Sequence, residues 1–288
     1  MQVFNWWQQT DFVPQQDHMW QRGDSGPEVQ AFQNKLKSAG YFLTVDGDFG
    51  GGTERVVRQY QVDHNLVADG RIGPKTEWLL NLEKPNPKFL SHQDIVAAAS
   101  LLHLPVPRVY AVNEVESKGS GFLNDAIRPV ILYERHIMYR QLKAKGINPQ
   151  PWIEQYPNVV NMNTGGYQGG SKEYDRLEVA KSLDPRCAFE SASWGLYQIM
   201  GFHWQSLAYA SVDAYVASNY KSEGEQLKNF CKFIIGNPPI HQALIDGDYA
   251  SFARQYNGPG YKKNSYDVKI AQAEVKHTKA LSELKLVA

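Results

Sequence analysis

Apolar residues recur at helical spacing through most of the chain, and clusters of glycine and proline interrupt them. This spacing predicts helices over 94–104, 172–183, 204–219 and 222–235, with a closing amphipathic helix from about 266. The glycine-rich stretches between these segments predict turns and loops. The pattern therefore favours a mainly α fold.

The segment 21–82 uses one turn twice. The sequences DGDFG and DGRIG begin at Asp46 and Asp69, and each leads within three positions to a threonine. Asp-Gly favours a tight turn because glycine adopts positive φ freely, and Phe49 or Ile72 would then enter the core. Apolar residues at helical spacing around the turns predict three short helices. The segment is thus interpreted as a small three-helix domain.

Two other stretches are expected to lie outside the domain cores. Residues 1–20 contain no basic region followed by an apolar run, so they are not a secretory signal, and we expect an N-terminal arm packed on the body. Residues 83–91, EKPNPKFLS, carry two prolines and few apolar residues, which is typical of a linker. Residues 92–288 then form a second domain. No apolar stretch is long enough to cross a bilayer, so we expect no stable membrane insertion.

Within the second domain, Glu116 is the candidate general acid. It continues the helical spacing of Val109, Val112 and Val115, so a helix here turns it inward, whereas Glu114 faces away. The serines and glycines that follow end the helix, which places Glu116 in a last turn. The helix dipole and apolar neighbours disfavour the anion there, and cleavage of a glycosidic bond requires a protonated carboxyl. The alternative is a structural glutamate held by an arginine or by backbone amides.

Asp125 and Glu134 are candidates for a second functional carboxylate. Asp125 follows Glu116 closely enough for a loop to fold it back across a cleft. Glu134 lies among apolar residues, and its alternative role is a structural ion pair with Arg135 or His136. His136 has no second ligand at helical spacing, so we predict no metal site and no cofactor.

Two further segments contain candidate sugar-binding side chains. In the sequence SWGLYQI, Trp194 and Tyr197 are candidates for stacking on a sugar ring, and the Gln198 amide for binding an acetamido group. A core position for Trp194 is an equal alternative. Residues 161–171 contain four glycines around Tyr167, which predicts a cleft wall or lid, or else an exposed hairpin turn.

Three motifs follow one another in order: Glu-Ser at Glu116, G-L-x-Q at Gly195 and Y-N-G at Tyr256. In this order they resemble the goose-type lysozyme and soluble lytic transglycosylase superfamily. The doubled D-G-x-[FI]-G-x-x-T pattern is similar to a peptidoglycan-binding domain, and the chain beyond its first 20 residues resembles modular phage endolysins. The resemblance implies a three-helix peptidoglycan-binding domain at 21–82 and an α-rich (α+β), lysozyme-like N-acetylmuramidase domain at 92–288.

The resemblance also implies roles for the residues of these motifs. Trp194, Tyr197 and Gln198 would line the sugar site beside the general acid. Tyr256 and Asn257 would complete the site, with the phenol placed near the acid.

The implied reaction is hydrolysis of the β-1,4 bond between N-acetylmuramic acid and N-acetylglucosamine. With Asp125 or Glu134 holding a water on the opposite face, the enzyme would be an inverting muramidase. The family that this chain resembles also has a glutamate equivalent to Glu134. Without such a carboxylate, the muramic acid substituent would attack and leave a 1,6-anhydro sugar, as in a lytic transglycosylase. Two different functions also stay open at this point: a non-catalytic wall-binding protein and a chitinase of related fold.

Charge and composition limit the classes of molecule that the protein is expected to bind. Thirty basic and thirty acidic residues leave no net field to attract nucleic acid, so peptidoglycan is the expected partner. Tyr41, Arg58 and Gln59 are candidates for exposed side chains that bind it, and Cys187 is expected to be an ordinary buried thiol. The resemblance further implies synthesis in a host cytoplasm, release by a holin-like protein and action on peptidoglycan in the periplasm. We expect a monomer.

Overall fold

The computed structural model describes residues 19–82, 86–117, 119–123 and 125–284, so the predicted arm at 1–20 lies almost entirely outside the described residues. Within them the chain forms fourteen α-helices and three short strands, which confirms a mainly α fold. The helices are α1 (Pro27–Ser38), α2 (Gly51–Asp63), α3 (Pro74–Leu82), α4 (His92–Leu102), α5 (Val106–Glu116), α6 (Arg135–Ala144), α7 (Gln150–Gln155), α8 (Lys172–Leu183), α9 (Pro185–Glu190), α10 (Val212–Asn219), α11 (Glu223–Ile235), α12 (Pro238–Asp246), α13 (Tyr249–Tyr256) and α14 (Tyr266–Glu283). The strands are β1 (Ile131–Tyr133), β2 (Ala192–Trp194) and β3 (Ile199–Met200).

Packing divides the chain into two compact units. Among the described residues, the first unit holds 19–115 and 242–284, and the second unit holds 116–241. The division falls within α5 and again within α12. The domain boundaries expected around the linker at 83–91 stay a prediction.

Helices α1, α2 and α3 surround a small core in the first unit, as the repeated turns predicted. Phe49 and Ile72, the apolar residues of the two turns, are both fully buried. Seven more side chains complete this core: Val29, Phe32, Leu36, Val57, Tyr60, Leu66 and Leu79. Isolated antiparallel bridges join Trp20 to Ile72 and Ser25 to Asp48, so the two turns share one core with the chain that precedes α1.

A buried glutamine holds each repeated turn. Gln33 Nε2 donates to Asp46 Oδ1 (2.8 Å), and Gln33 Oε1 accepts from the N–H of Gly47 (2.8 Å). Gln61 Nε2 donates to Asp69 Oδ1 (2.7 Å), and its Oε1 accepts from the N–H that follows that aspartate (2.9 Å). Each amide satisfies polar groups that the turn would otherwise bury unpaired. The aspartates of both turns therefore have a structural role.

The expectation that Arg58 is an exposed binding residue is wrong. Its side chain is 2% exposed, donates to the carbonyl oxygen of Ala68 (2.5 Å) and pairs with Glu54 (3.0 Å). The guanidinium packs tightly against the second repeated turn, where a Cβ on Gly70 would lie 2.7 Å from Arg58 Nε. The helical spacing of α2 does not predict this burial, because the carbonyl oxygen that accepts from Arg58 belongs to Ala68, in the segment that follows the helix.

The second unit contains an antiparallel sheet in the order β1, β2, β3. Ile131 pairs with Trp194, and Trp194 pairs with Ile199 on its other side. Helix α8 packs on β1 and on α9, where Cys187 is buried as predicted. This sheet is the β component expected of an α+β domain.

Helices α8 and α11 match their predicted bounds to within one residue, and α14 begins where it was predicted to begin. The helix predicted at 204–219 is wrong in its first half. Ala208 has a φ of 58°, which interrupts a helix. Helix α10 begins only after Ser211, whose hydroxyl accepts from the N–H of Ala214 (3.1 Å). This N-cap sets the start of the helix, because it satisfies a backbone donor that has no partner within the first turn.

Among the described residues, no single helix has the length and hydrophobicity needed to cross a membrane. The consecutive helices α4 and α5 meet that criterion only as a pair, and they are bent by 110°. The described part of the chain also contains no group of three or more His, Cys, Asp or Glu side chains placed to hold a metal ion.

Candidate active site

Glu116 is the last residue of α5, and its side chain is 8% exposed. The helix ends three residues before Gly119, which has a left-handed conformation (φ 82°). The structure thus confirms the predicted burial of Glu116 and its position at a helix C-terminus. A carboxyl in this position is shielded from water and faces the negative end of the helix dipole.

The loop after Glu116 is joined to the SWGLYQI segment through a single backbone residue. The N–H of Val130 donates to the carbonyl oxygen of Gly121 (2.9 Å), and the carbonyl oxygen of Val130 accepts from the N–H of Gly195 (2.8 Å). The Gln198 side chain donates to the same carbonyl oxygen (3.2 Å). Two of the three sequence motifs therefore lie together in the second unit.

Two buried polar side chains of α11 strengthen this junction. Gln226 Oε1 accepts from the N–H of Leu196 (2.8 Å), and its Nε2 donates to the carbonyl oxygen of Gly121 (3.3 Å). Glu223 Oε1 accepts from the N–H of Gly121 (2.8 Å). The spacing of residues 222–235 predicted the helix but neither of these contacts. The available signal was a Glu and a Gln three positions apart at the start of an otherwise apolar face.

The glycines at this junction are required by close packing. A Cβ on Gly195 would lie 2.5 Å from Gln226 Cδ, and one on Gly121 would lie 2.0 Å from Gln226 Oε1. Gly195 also has a φ of 72°, which other residues rarely adopt. The glycine of the G-L-x-Q motif is thus explained by the amide of α11 that packs against it.

Trp194, Tyr197 and Gln198 are all buried within and around the β2–β3 turn. Trp194 is 1% exposed and its Nε1 donates to a backbone carbonyl oxygen (3.2 Å), which favours the core alternative for this residue. Tyr197 is 4% exposed and stacks on Phe230, with ring centroids 4.6 Å apart. Gln198 Oε1 accepts from the Ser193 hydroxyl (2.8 Å) and so stabilises the β2–β3 turn. Their contacts with a sugar stay a prediction.

The two candidates for a second carboxylate have different surroundings. Asp125 Oδ1 accepts from the N–H groups of Ile127 (2.8 Å) and Arg128 (2.9 Å), and its Oδ2 accepts from the Arg128 guanidinium (2.7 Å). Burial acts to raise the pKa of Asp125, but these hydrogen bonds and the positive charge lower it overall. Asp125 therefore closes an exposed turn of its own loop.

Glu134 lies between β1 and α6, and its side chain is 4% exposed. The Tyr167 hydroxyl lies 3.0 Å from Oε1 and 2.9 Å from Oε2, and His136 Nδ1 lies 3.1 Å from Oε2. The sequence expected a buried Glu134 with His136 nearby, and both features are confirmed. The contact with Tyr167 was not expected, because the pattern of residues 161–171 indicates only a glycine-rich loop.

Tyr256 and Asn257 belong to the first unit. Tyr256 ends α13, is 2% exposed and stacks on Phe252 with an interplanar angle of 9°. Asn257 caps the same helix and is 4% exposed. The expected position of the Tyr256 phenol near the general acid stays a prediction.

Residues 105–278, more than half of the chain, match the N-acetylmuramidase family. The chain belongs to this family. The N-acetylmuramidase match contains Glu116, Glu134 and the SWGLYQI segment, and residues 25–79 match the peptidoglycan binding domain family. The predicted family and the predicted enzyme class, a peptidoglycan glycosidase, are confirmed. The finer likeness to goose-type lysozymes stays a prediction.

The chain is similar over nearly its whole length to a solved structure, that of the Burkholderia AP3 phage endolysin. The two chains are 44% identical, with a TM-score of 0.86, and the match covers 91% of this chain and 98% of the other. A second relative is the spore cortex-lytic enzyme of Bacillus cereus, 43% identical over 61 residues. That match covers 21% of this chain and spans 24% of the length of the cortex-lytic enzyme.

Proposed function

We propose that this protein is a phage endolysin that hydrolyses the β-1,4 bond between N-acetylmuramic acid and N-acetylglucosamine in bacterial peptidoglycan. The observation that carries the proposal is the Glu116 carboxyl, buried at the C-terminus of α5 inside the N-acetylmuramidase match. The likeness to a phage endolysin over 91% of the chain supports the biological setting.

In the proposed reaction Glu116 gives its proton to the glycosidic oxygen as the bond to the muramic acid carbon breaks. A water molecule attacks that carbon from the opposite face and gives a proton to Glu134. The products are a reducing N-acetylmuramic acid end and a free hydroxyl on N-acetylglucosamine. Proton exchange with solvent then restores both carboxyl groups.

Glu134 fits the role of the second carboxylate better than Asp125. Three donors within its own loop occupy the Asp125 carboxylate, including the guanidinium of Arg128. Glu134 is buried, and its carboxylate contacts the Tyr167 phenol and His136 Nδ1 rather than a guanidinium, which leaves it able to accept a proton from water.

The proposal extends to the rest of the chain. Residues 21–82 bind the cell wall and hold the enzyme on its insoluble substrate, which the match at 25–79 supports. The protein is made in a host cytoplasm, reaches peptidoglycan in the periplasm through a holin-like partner and acts as a monomer. Destruction of the wall then lyses the host cell.

The test is mass spectrometry of soluble fragments released from purified peptidoglycan. Glu116→Gln should abolish release, whereas Glu178→Gln, the same change at a side chain that is 62% exposed, should not. Reducing N-acetylmuramic acid ends support the proposal. Anhydro ends would overturn hydrolysis in favour of transglycosylation, and a wild-type protein that releases nothing would contradict the assignment of an enzyme.

A further inference from the structure

The hydroxyl of Tyr167 lies against both oxygens of Glu134, at 3.0 Å from Oε1 and 2.9 Å from Oε2. A phenol carries one proton, so it donates to either oxygen and restricts rotation of the carboxylate. Burial, and then the negative charge of Glu134, raise the pKa of Tyr167 above its usual range. The phenol therefore stays protonated, and remains a donor, near neutral pH.

The loop that carries Tyr167 is held on the side that precedes it. The Arg135 guanidinium donates to three backbone carbonyl oxygens, those of Pro157 (3.1 Å), Asn163 (3.0 Å) and Thr164 (2.6 Å). Arg135 directly follows Glu134 in the chain. The residue next to the carboxylate thus anchors the loop that returns to it.

The loop is also held on the side that follows Tyr167. Glu173 Oε1 accepts from the N–H groups of Gln168 (2.6 Å) and Gly169 (2.9 Å). Its other oxygen accepts from the N–H of Tyr133 (3.2 Å), the residue before Glu134. Glu173 is fully buried, so these contacts are protected from competition with water.

A buried arginine completes the support. Arg176 is 3% exposed, pairs with Glu173 (2.6 Å) and donates to the carbonyl oxygen of Tyr133 (2.8 Å). Its guanidinium carbon also lies 5.8 Å from the centroid of the Tyr167 ring, within range of a cation–π contact. The ring and the hydroxyl of Tyr167 are therefore fixed independently of any substrate.

We propose that Tyr167 is a positioning residue for Glu134, and that residues 161–171 are a preorganised support for the carboxylate that accepts a proton from the attacking water. This inference rests on the proposed hydrolysis with Glu134 as the base. Sequence reasoning placed Tyr167 among the sugar-binding residues, and the two roles differ in their kinetics. A residue that holds the base affects kcat, whereas a residue that binds sugar equally in the ground and transition states affects KM.

Tyr167→Phe removes the hydroxyl and keeps the ring on Arg176. We expect kcat on solubilised glycan strands to fall by about 10-fold or more, with KM changed by less than about 2-fold. The acidic limb of the kcat/KM profile should move to higher pH, because loss of a donor to the ionised carboxylate favours its protonated form. Tyr156→Phe is the matched control. The Tyr156 hydroxyl accepts from Gln155 Nε2 (3.1 Å), so its removal should change neither kcat nor the pH profile.

A double-mutant cycle separates positioning from general loss of structure. Tyr167→Phe in a Glu134→Gln background should cost no further activity, because the group that it positions is already inactive. An independent, multiplicative loss in the double variant would overturn the proposal. A rise in KM alone, or an unchanged pH profile, would overturn it as well.

The products formed in the same experiment distinguish the two proposals. Reducing ends from Tyr167→Phe together with an unchanged kcat would reject the positioning role and leave hydrolysis intact. Anhydro ends from the wild type would reject hydrolysis itself, and with it the base that Tyr167 is proposed to hold.

Discussion

The guanidinium of Arg71 lies 2.7 Å from a carboxylate oxygen of Glu114, which joins the second repeated turn to α5 two residues before Glu116. His277 Nε2 contacts the other oxygen of Glu114 at 2.7 Å, and Lys276 lies 3.6 Å from it. The sequence expected Glu114 to face away from the buried stripe of α5. Glu114 does face away from that stripe, but it contacts Arg71, Lys276 and His277 rather than solvent. Its side chain is only 18% exposed.

Arg71→Met should destabilise the protein because it leaves Glu114 mostly buried with one partner fewer. We expect the free energy of unfolding to fall by about 1–3 kcal/mol in urea titrations of the full chain. Arg22→Met is the matched control, since that arginine is 68% exposed and lies 4.0 Å from Glu54. The free energy of unfolding of this control should equal that of the wild type within experimental error. Equal losses from both variants would show that the Arg71 pair contributes no more than a surface contact.

The same carboxylate makes stability depend on acidic pH. Burial acts to raise the pKa of Glu114, but the hydrogen bond to His277 and the charge of Arg71 lower it from 4.5 to about 2. The unfolded chain therefore binds this proton first as the pH falls. The contribution of Glu114 is complete above pH 4.5 and is lost as the pH approaches 2, with a size of at most ~3 kcal/mol.

Glu114→Gln isolates this contribution from those of other carboxylates. The difference in free energy of unfolding between wild type and variant should be largest near pH 6 and should shrink between pH 4.5 and 2. A difference that stays constant over this range would contradict the assigned pKa.

Gly195→Ala should be more damaging than an ordinary substitution of a left-handed glycine. The new Cβ would lie 2.5 Å from Gln226 Cδ, in addition to the cost of a φ of 72°. We expect a loss of about 2–4 kcal/mol in the free energy of unfolding. Gly146→Ala is the control, because Gly146 has a similar φ of 78° with nothing within 4 Å, and it should lose only about 1 kcal/mol. Matching losses at the two sites would mean that Gln226 moves aside without cost.

The two candidate carboxylates should respond differently to removal of their charge. Glu134→Gln is expected to lower the rate of reducing-end formation by about 10²–10⁴-fold, as loss of a general base does. Asp125→Asn keeps an oxygen for the turn and should lower the rate by no more than a few fold. Initial rates on purified peptidoglycan measure both. A larger loss from Asp125→Asn would reverse the assignment of the base.

Much of the fold was determined by local sequence. The helical spacing of the valines in α5 predicted the burial of Glu116, and the residues after it predicted the end of the helix. The repeated turns around Phe49 and Ile72 predicted three short helices. These features depend on residues a few positions apart, where periodicity, capping and turn preferences act directly.

Only the tertiary structure decided which side chains meet. Arg71 and Glu114 are 43 positions apart, Tyr167 and Glu134 are 33 apart, and Gln226 contacts the N–H of Leu196 from 30 positions away. No local spacing relates such residues. A polar side chain on a helix face is compatible with solvent, an ion pair or a buried network, and the segment that packs against that face selects among them. The sequence could therefore identify Glu116 as a buried carboxyl, but not the groups that hold its neighbours in place.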